Sequence, residues 1–493
     1  MQREPYFNPV GRCIVATNLL VILPEILLLI LAGLILLLDV LYKDRSDSFF
    51  SWFTAIGLVL IGLISVFFNY PGDQRQLVWG GMLRVDTAGF VFRLLFVTGA
   101  AVTSLFAAKV KAIGNRAVFF ALLVISTIGM SFMSSAADLI MLYLAIETTS
   151  IPMYILAGFS VKENNSVESG LKYLLFGAMA SAVMLYGFSL LYGFSGTTQL
   201  YGIVEILQSG AVSLSLQLLI LFLVIAGFGF KVSAVPFHFW APDVYHGSPT
   251  PISGYLSTAS KAAGFIVLMR FLFSAFSYQQ TYWGLLIAII ATVTMFTGNL
   301  LALAQKNLKR LFAYSSIAHA GYILIGVAAG NHLGIKASMY YLIAYLFTNL
   351  AAFGVISIVE RKKGSSEIEA FRGLVKSSPG LAIILLVSLL SLGGIPPFGG
   401  FISKVLVFAS AAEANLIWLL LVGVLNSIIA LYYYLQIIRI TFEDTEEIDL
   451  IPVSKTWKFA LGVCVTGIIV LGVIFTPWLN LVTTASTNLM LLH

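Results

Sequence analysis

The sequence predicts an all-α polytopic membrane protein. Three observations carry that reading. Of 493 residues, 59% are hydrophobic and only 10% are charged, whereas soluble domains run near 25% charged. Apolar runs of bilayer length, about 20 residues each, recur about fourteen times along the chain. Lys and Arg collect on alternate connections, as expected of a chain that crosses a membrane repeatedly.

The runs are centred near residues 30, 60, 98, 125, 148, 182, 230, 264, 293, 320, 346, 394, 428 and 468. The first contains Pro24 and Glu25 and extends to about Leu41. It lacks a small-residue cleavage site, so it reads as a membrane helix and not a signal peptide. The seventh and twelfth are longer, and proline breaks both. The longest polar connections are Asn69–Asp86, Gly196–Ser213, Lys362–Ser378 and Phe442–Lys455. None has room for a soluble domain.

Two cysteines, Cys13 and Cys464, stand at opposite ends. They make neither a zinc site nor an iron–sulfur site. No His/Asp/Glu spacing resembles a metal site, and there is no phosphate loop or nucleophile elbow. The chain is therefore expected to hold no cofactor of its own. The formal charge of +6 follows from where the cations stand and does not point to nucleic acid. Of the 28 Lys and Arg residues, 18 fall on one set of loops and helix ends. That set includes Lys43, Arg45, Lys109, Lys111, Lys309, Arg361, Arg372 and Lys455. Seven fall on the other: Arg3, Arg12, Arg75, Arg84, Arg93, Arg270 and Lys336. The positive-inside rule then puts both termini outside. The acidic run Glu443–Glu447 reads as a solvated inner loop. The remaining three cations, Lys231, Lys261 and Lys404, belong to neither set.

Lys231 lies in the stretch Leu223–Pro251, deep in apolar sequence and five residues before Pro236. A charge at mid-bilayer costs a few kcal/mol, so such residues usually mark an ion or proton path. Broken backbone at that depth must be buried in protein or line a wet cavity. Glu147 stands about nine residues into the fifth run, ~14 Å deep at 1.5 Å per residue. Lys261 stands ten residues past Pro251, ~15 Å deep. Lys404 follows the break at Pro396 and Pro397. One carboxylate does not neutralise three lysines, and a buried lysine without an acid partner gives up its proton readily. A proton relay through Glu147, Lys231, Lys261 and Lys404 follows. His238 and His319 lie at the same depth, where bridging and packing both remain open. Asp243 lies near the inner face, as a turn former or at a proton entry. The tyrosines Tyr154, Tyr173, Tyr186 and Tyr432–Tyr434 read as packing and interface aromatics, with the lining of water by some of them left open.

An internal repeat is visible. KYLLFGAMASAVMLYG (Lys172–Gly187) in the sixth run corresponds to YYLIAYLFTNLAAFG (Tyr340–Gly354) in the eleventh. One helix later, GFGFKVSAVPF and SLGGIPPFGGFISK each join glycines, proline, aromatics and a lysine. Paired interrupted segments in two halves point to a transport site.

FKVSAVPFHFWAPDVYHGSPTPISGYLSTASKAA (Phe230–Ala263), NLLALAQKNLKRLFAYSSIAHAGY (Asn299–Tyr322), GGIPPFGGFISK (Gly393–Lys404) and LPEILLL near the start together resemble the antiporter-like membrane subunits of bacterial NADH:quinone oxidoreductase, complex I. Among them the subunit N family is nearest, through PDVYHGSPTP and the lysine at position 404. The resemblance spans essentially the whole chain. It implies fourteen transmembrane helices with two inverted five-helix repeats and broken helices seven and twelve. The divisions it suggests are 1–115, a three-helix region; 116–278, the first repeat; 279–442, the second; and 443–493, an inner loop and last helix. Glu147, Lys231, Lys261 and Lys404 match the family's charged positions, and His238 and His319 match polar positions near its hydrated axis. The implied function is proton translocation coupled to quinone reduction elsewhere in the complex. Other membrane-arm subunits would be the partners, and FMN and iron–sulfur clusters would lie in other subunits. The alternative is an Mrp-type cation/proton antiporter or a membrane subunit of a related hydrogenase.

Overall fold

The computed structural model describes residues 19–42, 48–72, 75–108, 110, 113, 116–445 and 449–490. Arg3, Arg12, Cys13, Lys43, Arg45, Lys109, Lys111, Glu446, Glu447 and His493 lie outside them. The chain runs through α1 (Leu23–Leu41), α2 (Phe49–Phe68), a two-stranded hairpin β1 (Gln76–Val78) and β2 (Leu83–Val85), α3 (Thr87–Ala107), α4 (Ala117–Ser135), α5 (Leu139–Ala157) and α6 (Asn164–Ser195). It continues through α7 (Leu200–Gln208), α8 (Leu214–Val232), α9 (Trp240–Gly247), α10 (Thr250–Ala275), α11 (Gln280–Leu303), α12 (Leu308–Ala329) and α13 (His332–Lys363). Then come α14 (Pro379–Gly393), α15 (Gly399–Glu413), α16 (Ile417–Phe442), α17 (Lys455–Val473) and α18 (Phe475–Met490).

Among the described residues, 13 helical spans are long and apolar enough to cross a membrane. The twelfth predicted run is divided between α14 and α15, each 15 residues long. The seventh is divided between α8 and α9. The protein is an all-α polytopic membrane protein. Its centre is α10, whose apolar window is 100% buried, flanked by α12 and α13 at 94%.

The breaks share one design. Each first half-helix ends in a left-handed residue, Ser233 at φ 58° and Gly394 at φ 80°. The next amide then reaches back five residues, Ala234 N to Gly229 O at 2.8 Å and Ile395 N to Leu390 O at 3.0 Å. This is a Schellman end, which satisfies carbonyls that the stopped helix would leave bare. Proline follows within three residues in both cases, so neither helix resumes at once. The Val235–Pro236 and Pro396–Pro397 bonds are both cis.

The repeat extends to the helix ends. Asp138 caps α5 and Asn307 caps α12, each accepting from two backbone amides of the first turn. Such side chains satisfy donors that a helix start leaves free. Asp138 also forms an antiparallel bridge with Gln199, and Asn307 forms one with Glu367. The helices α6 and α13 are each 32 residues long and end on a left-handed glycine, Gly196 and Gly364. The two units are inverted. The Asp138 end lies beside the hairpin, where Leu83 bridges Ala136. The Asn307 end lies beside Arg310, which pairs with Asp243 at 2.9 Å on the opposite face.

Charges sort onto those two faces. On the hairpin face Arg270 grips Asp86 through two bonds of 2.8 and 3.0 Å, and Arg84 pairs with Asp86 at 3.3 Å. On the other face lie Lys172–Asp243 at 2.6 Å, Lys309–Glu360 at 3.4 Å, Arg372–Glu443 at 2.5 Å and Lys376–Asp444.

Three features depart from the sequence reading. Arg93 and Arg270 were grouped with loop and helix-end cations but are buried inside α3 and α10. Each is neutralised by an acid, Arg93 by Glu25 at 2.9 Å and Arg270 by Asp86. Strands of three residues are too short to show alternation, so the hairpin was not foreseen. The chain also turns after α17 into α18, because Pro477 suits a first helical turn and the following residues, rich in Thr, Ser and Asn, are not bilayer-like.

The Glu25–Arg93 pair gives a stability test. Ser131 also donates to Glu25, at 2.5 Å. Arg93→Ala strands a buried carboxylate and is expected to cost about 3–5 kcal/mol. Adding Glu25→Gln to that variant should restore much of the loss. Thermal unfolding of the purified protein in detergent checks both outcomes.

Candidate functional site

The predicted site residues stand on the elements that the breaks and caps hold in place. Glu147 and Ser150 are nine and twelve residues beyond the Asp138 cap of α5. Ser316 and His319 are nine and twelve residues beyond the Asn307 cap of α12. Residues three apart share a helix face. The inverted helices therefore present their polar pairs at the same register.

Lys231 sits in the last turn of α8, where the helix dipole is negative and favours a cation. Its amine donates to Ser150 Oγ, and Ser150 donates to the Ile146 carbonyl at 2.5 Å. Glu147 is half-buried and accepts from Ser181 Oγ at 2.6 Å. It lies one turn from Ser150, the hydroxyl that accepts from Lys231.

Lys261 opens the regular part of α10, directly after the π-helical turn Leu256–Ser260. Such turns are often found at functional sites. The Lys261 amine donates to Ser316 O and Ser316 Oγ, both at 2.8 Å. Gly264, one turn further on, lets α10 close on α8. A Cβ there would stand 3.1 Å from the Lys231 Cβ.

His319 faces two phenols. Its Nδ1 is 2.7 Å from Tyr341 Oη and its Nε2 3.0 Å from Tyr434 Oη. Tyr434 Oη also meets Ser315 Oγ at 2.6 Å. Lys404, on α15, folds back to donate to the Gly393 carbonyl at 3.1 Å. Its amine lies 4.9 Å from the centre of the Tyr322 ring, a cation–π distance. Gly394 leaves space for its stem, since a Cβ there would stand 2.7 Å from Lys404 Cδ.

The two break lysines are not sequence equivalents. Lys231 precedes its left-handed residue by two positions, and Lys404 follows its own by ten. The Lys404 amine reaches back to the C-terminal end of its first half-helix, whereas Lys231 is carried by that end and its amine reaches Ser150 of α5. All three lysines are buried, at 6%, 2% and 5% exposure for Lys231, Lys261 and Lys404. Among the described residues, none of the three forms an ion pair; hydroxyls and carbonyls hold them.

His238 is buried beyond the first break, against the Phe239 ring at 4.4 Å. Its Nδ1 has no hydrogen-bond partner among the described residues. No hydrogen bond joins His238 to a lysine there. Asp243 bridges Lys172 and Arg310 rather than capping a turn. Of the tyrosines read as packing, Tyr173 meets Tyr154 edge-on and stacks on Trp240, and Tyr432 is exposed. Tyr434 instead touches His319. Sequence reasoning passed over Ser150, Ser181, Ser316 and Tyr341, and gave Tyr434 no part in the relay. The available signal was a hydroxyl three residues from an ionisable group, in ETTS and in SSIAH.

Among the described residues, no group of three or more His, Cys, Asp or Glu is placed to hold a metal ion. The family described as NADH:quinone oxidoreductase/Mrp antiporter, TM, matches residues 136–430. NADH-quinone oxidoreductase subunit N of Dehalococcoides mccartyi is 38% identical, over 94% of this chain and 98% of the relative. A chain of respiratory complex I from Thermus thermophilus superposes with a TM-score of 0.79 at 32% identity, covering 93% of this chain and 98% of that one. A chain of the membrane-bound sulfane sulfur reductase, an archaeal respiratory membrane complex, gives 0.85 at 26% identity, covering 96% and 97%. On these matches the chain belongs to the subunit N family of NADH-quinone oxidoreductase, within the wider group of antiporter-like membrane subunits.

Proposed function

We propose that this subunit translocates protons through Glu147, Lys231, Lys261, His319 and Lys404, driven by quinone reduction elsewhere in a respiratory complex I. The observation that supports it is the row of buried lysines held by neutral groups. An ammonium held by a hydroxyl or a carbonyl keeps its site when it loses its proton, because the neutral amine still donates. A change of charge at Glu147 acts on Lys231, one turn and one serine away. Lys231 meets α10 at Gly264, which leads to Lys261. Ser316 and His319 follow on one face of α12, and the Tyr322 ring lies near both His319 and Lys404. His238, buried beyond the first break, serves as a side branch.

In this reading residues 116–278 and 279–442 act as two equivalent, inverted halves. The face carrying Lys172, Lys309 and Arg372 is the inner side of a bacterial plasma membrane. The face carrying Arg84 and Asn488, which are joined at 2.7 Å, is then the outer side, and both termini lie there. Other membrane-arm subunits are the partners, and the redox groups, FMN and iron–sulfur clusters among them, lie in other subunits.

In the intact complex in vesicles, Lys231→Ala and Glu147→Ala should lower proton pumping per quinone reduced by roughly tenfold or more, the scale of a lost proton-transfer group. Normal pumping in both variants would overturn the assignment. Lys231→Arg separates relay from scaffold. Arginine keeps the charge and does not deprotonate, so pumping should stay low although the complex assembles. His319→Gln and Tyr434→Phe should each slow pumping severalfold, leaving the amount of assembled complex unchanged.

A further inference from the structure

A cavity of about 590 Å³ lies apart from the lysine row. Its walls are α2 and α17, with Trp478 and Leu481 of α18. Its floor is α3 and α13. Both walls pack on α3, and they meet each other at Trp52. There the indole Nε1 donates to Thr456 Oγ1 at 3.1 Å, and the ring centre is 5.7 Å from that of Phe459. Beyond Trp52 the lining is almost wholly aliphatic and aromatic, including Leu63, Val97, Phe347 and Val463. It follows α2 from Trp52 to Val66, ~21 Å at 1.5 Å per residue, against a hydrocarbon leaflet of about 15 Å.

The Trp52 end is basic. Lys455 and Lys458 are exposed on the first turn of α17, beside Thr456 and Phe459. Arg361 lies over the Trp457 ring, 5.1 Å from its centre. A helix start favours negative charge, and exposed lysines at a membrane surface attract anionic lipid. An indole near one end suits the bilayer interface, where tryptophan collects. A long apolar trough at membrane depth with cations at one end matches the shape and charge of one anionic phospholipid.

We propose that this cavity is a lipid-binding site. One acyl chain lies along α2 over Gly62 and Val97, and the phosphate rests against Lys455 and Lys458. The chain fills a gap that would otherwise forfeit dispersion contacts along both walls. The bound lipid ties α2 to α17, which are far apart in sequence.

The test uses the intact membrane complex in phosphatidylcholine vesicles doped with phosphatidylglycerol spin-labelled on its acyl chain. Electron paramagnetic resonance counts the motionally restricted labels per complex. A Cβ at Gly62 would meet Val97 Cγ1 at 3.6 Å, an ordinary contact, so Gly62→Phe fills the trough without forcing backbone apart. It should remove one restricted label per complex. Lys455→Gln with Lys458→Gln lies on the surface and should weaken the preference for phosphatidylglycerol over phosphatidylcholine about tenfold. An unchanged count in assembled Gly62→Phe complex overturns the proposal. So does an unchanged lipid preference in the double variant, which decides the matter if Gly62→Phe fails to assemble. Density for a neighbouring subunit's helix in the trough also overturns it.

Discussion

Among the described residues, three buried lysine amines, those of Lys231, Lys261 and Lys404, have no carboxylate at ion-pair distance. Burying a charge is costly unless it is paired or hydrogen-bonded, and the fold treats its cations in two ways. Arg93 and Arg270, which do not deprotonate, each have an acid at hydrogen-bond distance. Lys231, Lys261 and Lys404 are given serines and backbone carbonyls instead. Breaking a buried ion pair costs several kcal/mol, so the arginine pairs are fixed. A hydroxyl or carbonyl contact holds an amine in either protonation state. The division separates ionic residues whose contacts depend on their charge from lysines whose contacts do not.

The broken helices follow from the same constraint. A continuous helix satisfies its own carbonyls and offers an amine little beyond side chains. Stopping α8 at Ser233 and α14 at Gly394 creates two helix ends whose dipoles are negative. Lys231 stands in the last turn of one such end, and Lys404 reaches back to the other. The requirement shared by the two halves is therefore a cation at a half-helix terminus, whichever residue number supplies it.

Much of this was legible in the sequence. The lysines stood out because each lies in apolar sequence away from the cation-rich connections, and the breaks because proline stops a helix from either side. The register joining Lys172–Gly187 to Tyr340–Gly354 agrees with the shared length of α6 and α13. The partners were not legible. Ser150, Ser316 and Tyr434 are common residue types in membrane helices, and only packing shows which of them meets an amine or an imidazole. Arg93 and Arg270 were counted as loop and helix-end cations because their acids, Glu25 and Asp86, are 68 and 184 residues away. Those pairings rest on tertiary contact between distant helices, which local pattern does not encode.

The central claim is that these lysines change protonation during turnover. Difference infrared spectroscopy on the complex labelled with ¹⁵N-lysine measures that directly, because amine and ammonium bands shift with the label. The account predicts label-sensitive bands that interconvert when quinone reduction begins and lose part of their amplitude in Lys404→Ala. Lysine bands that stay wholly ammonium throughout turnover would contradict it.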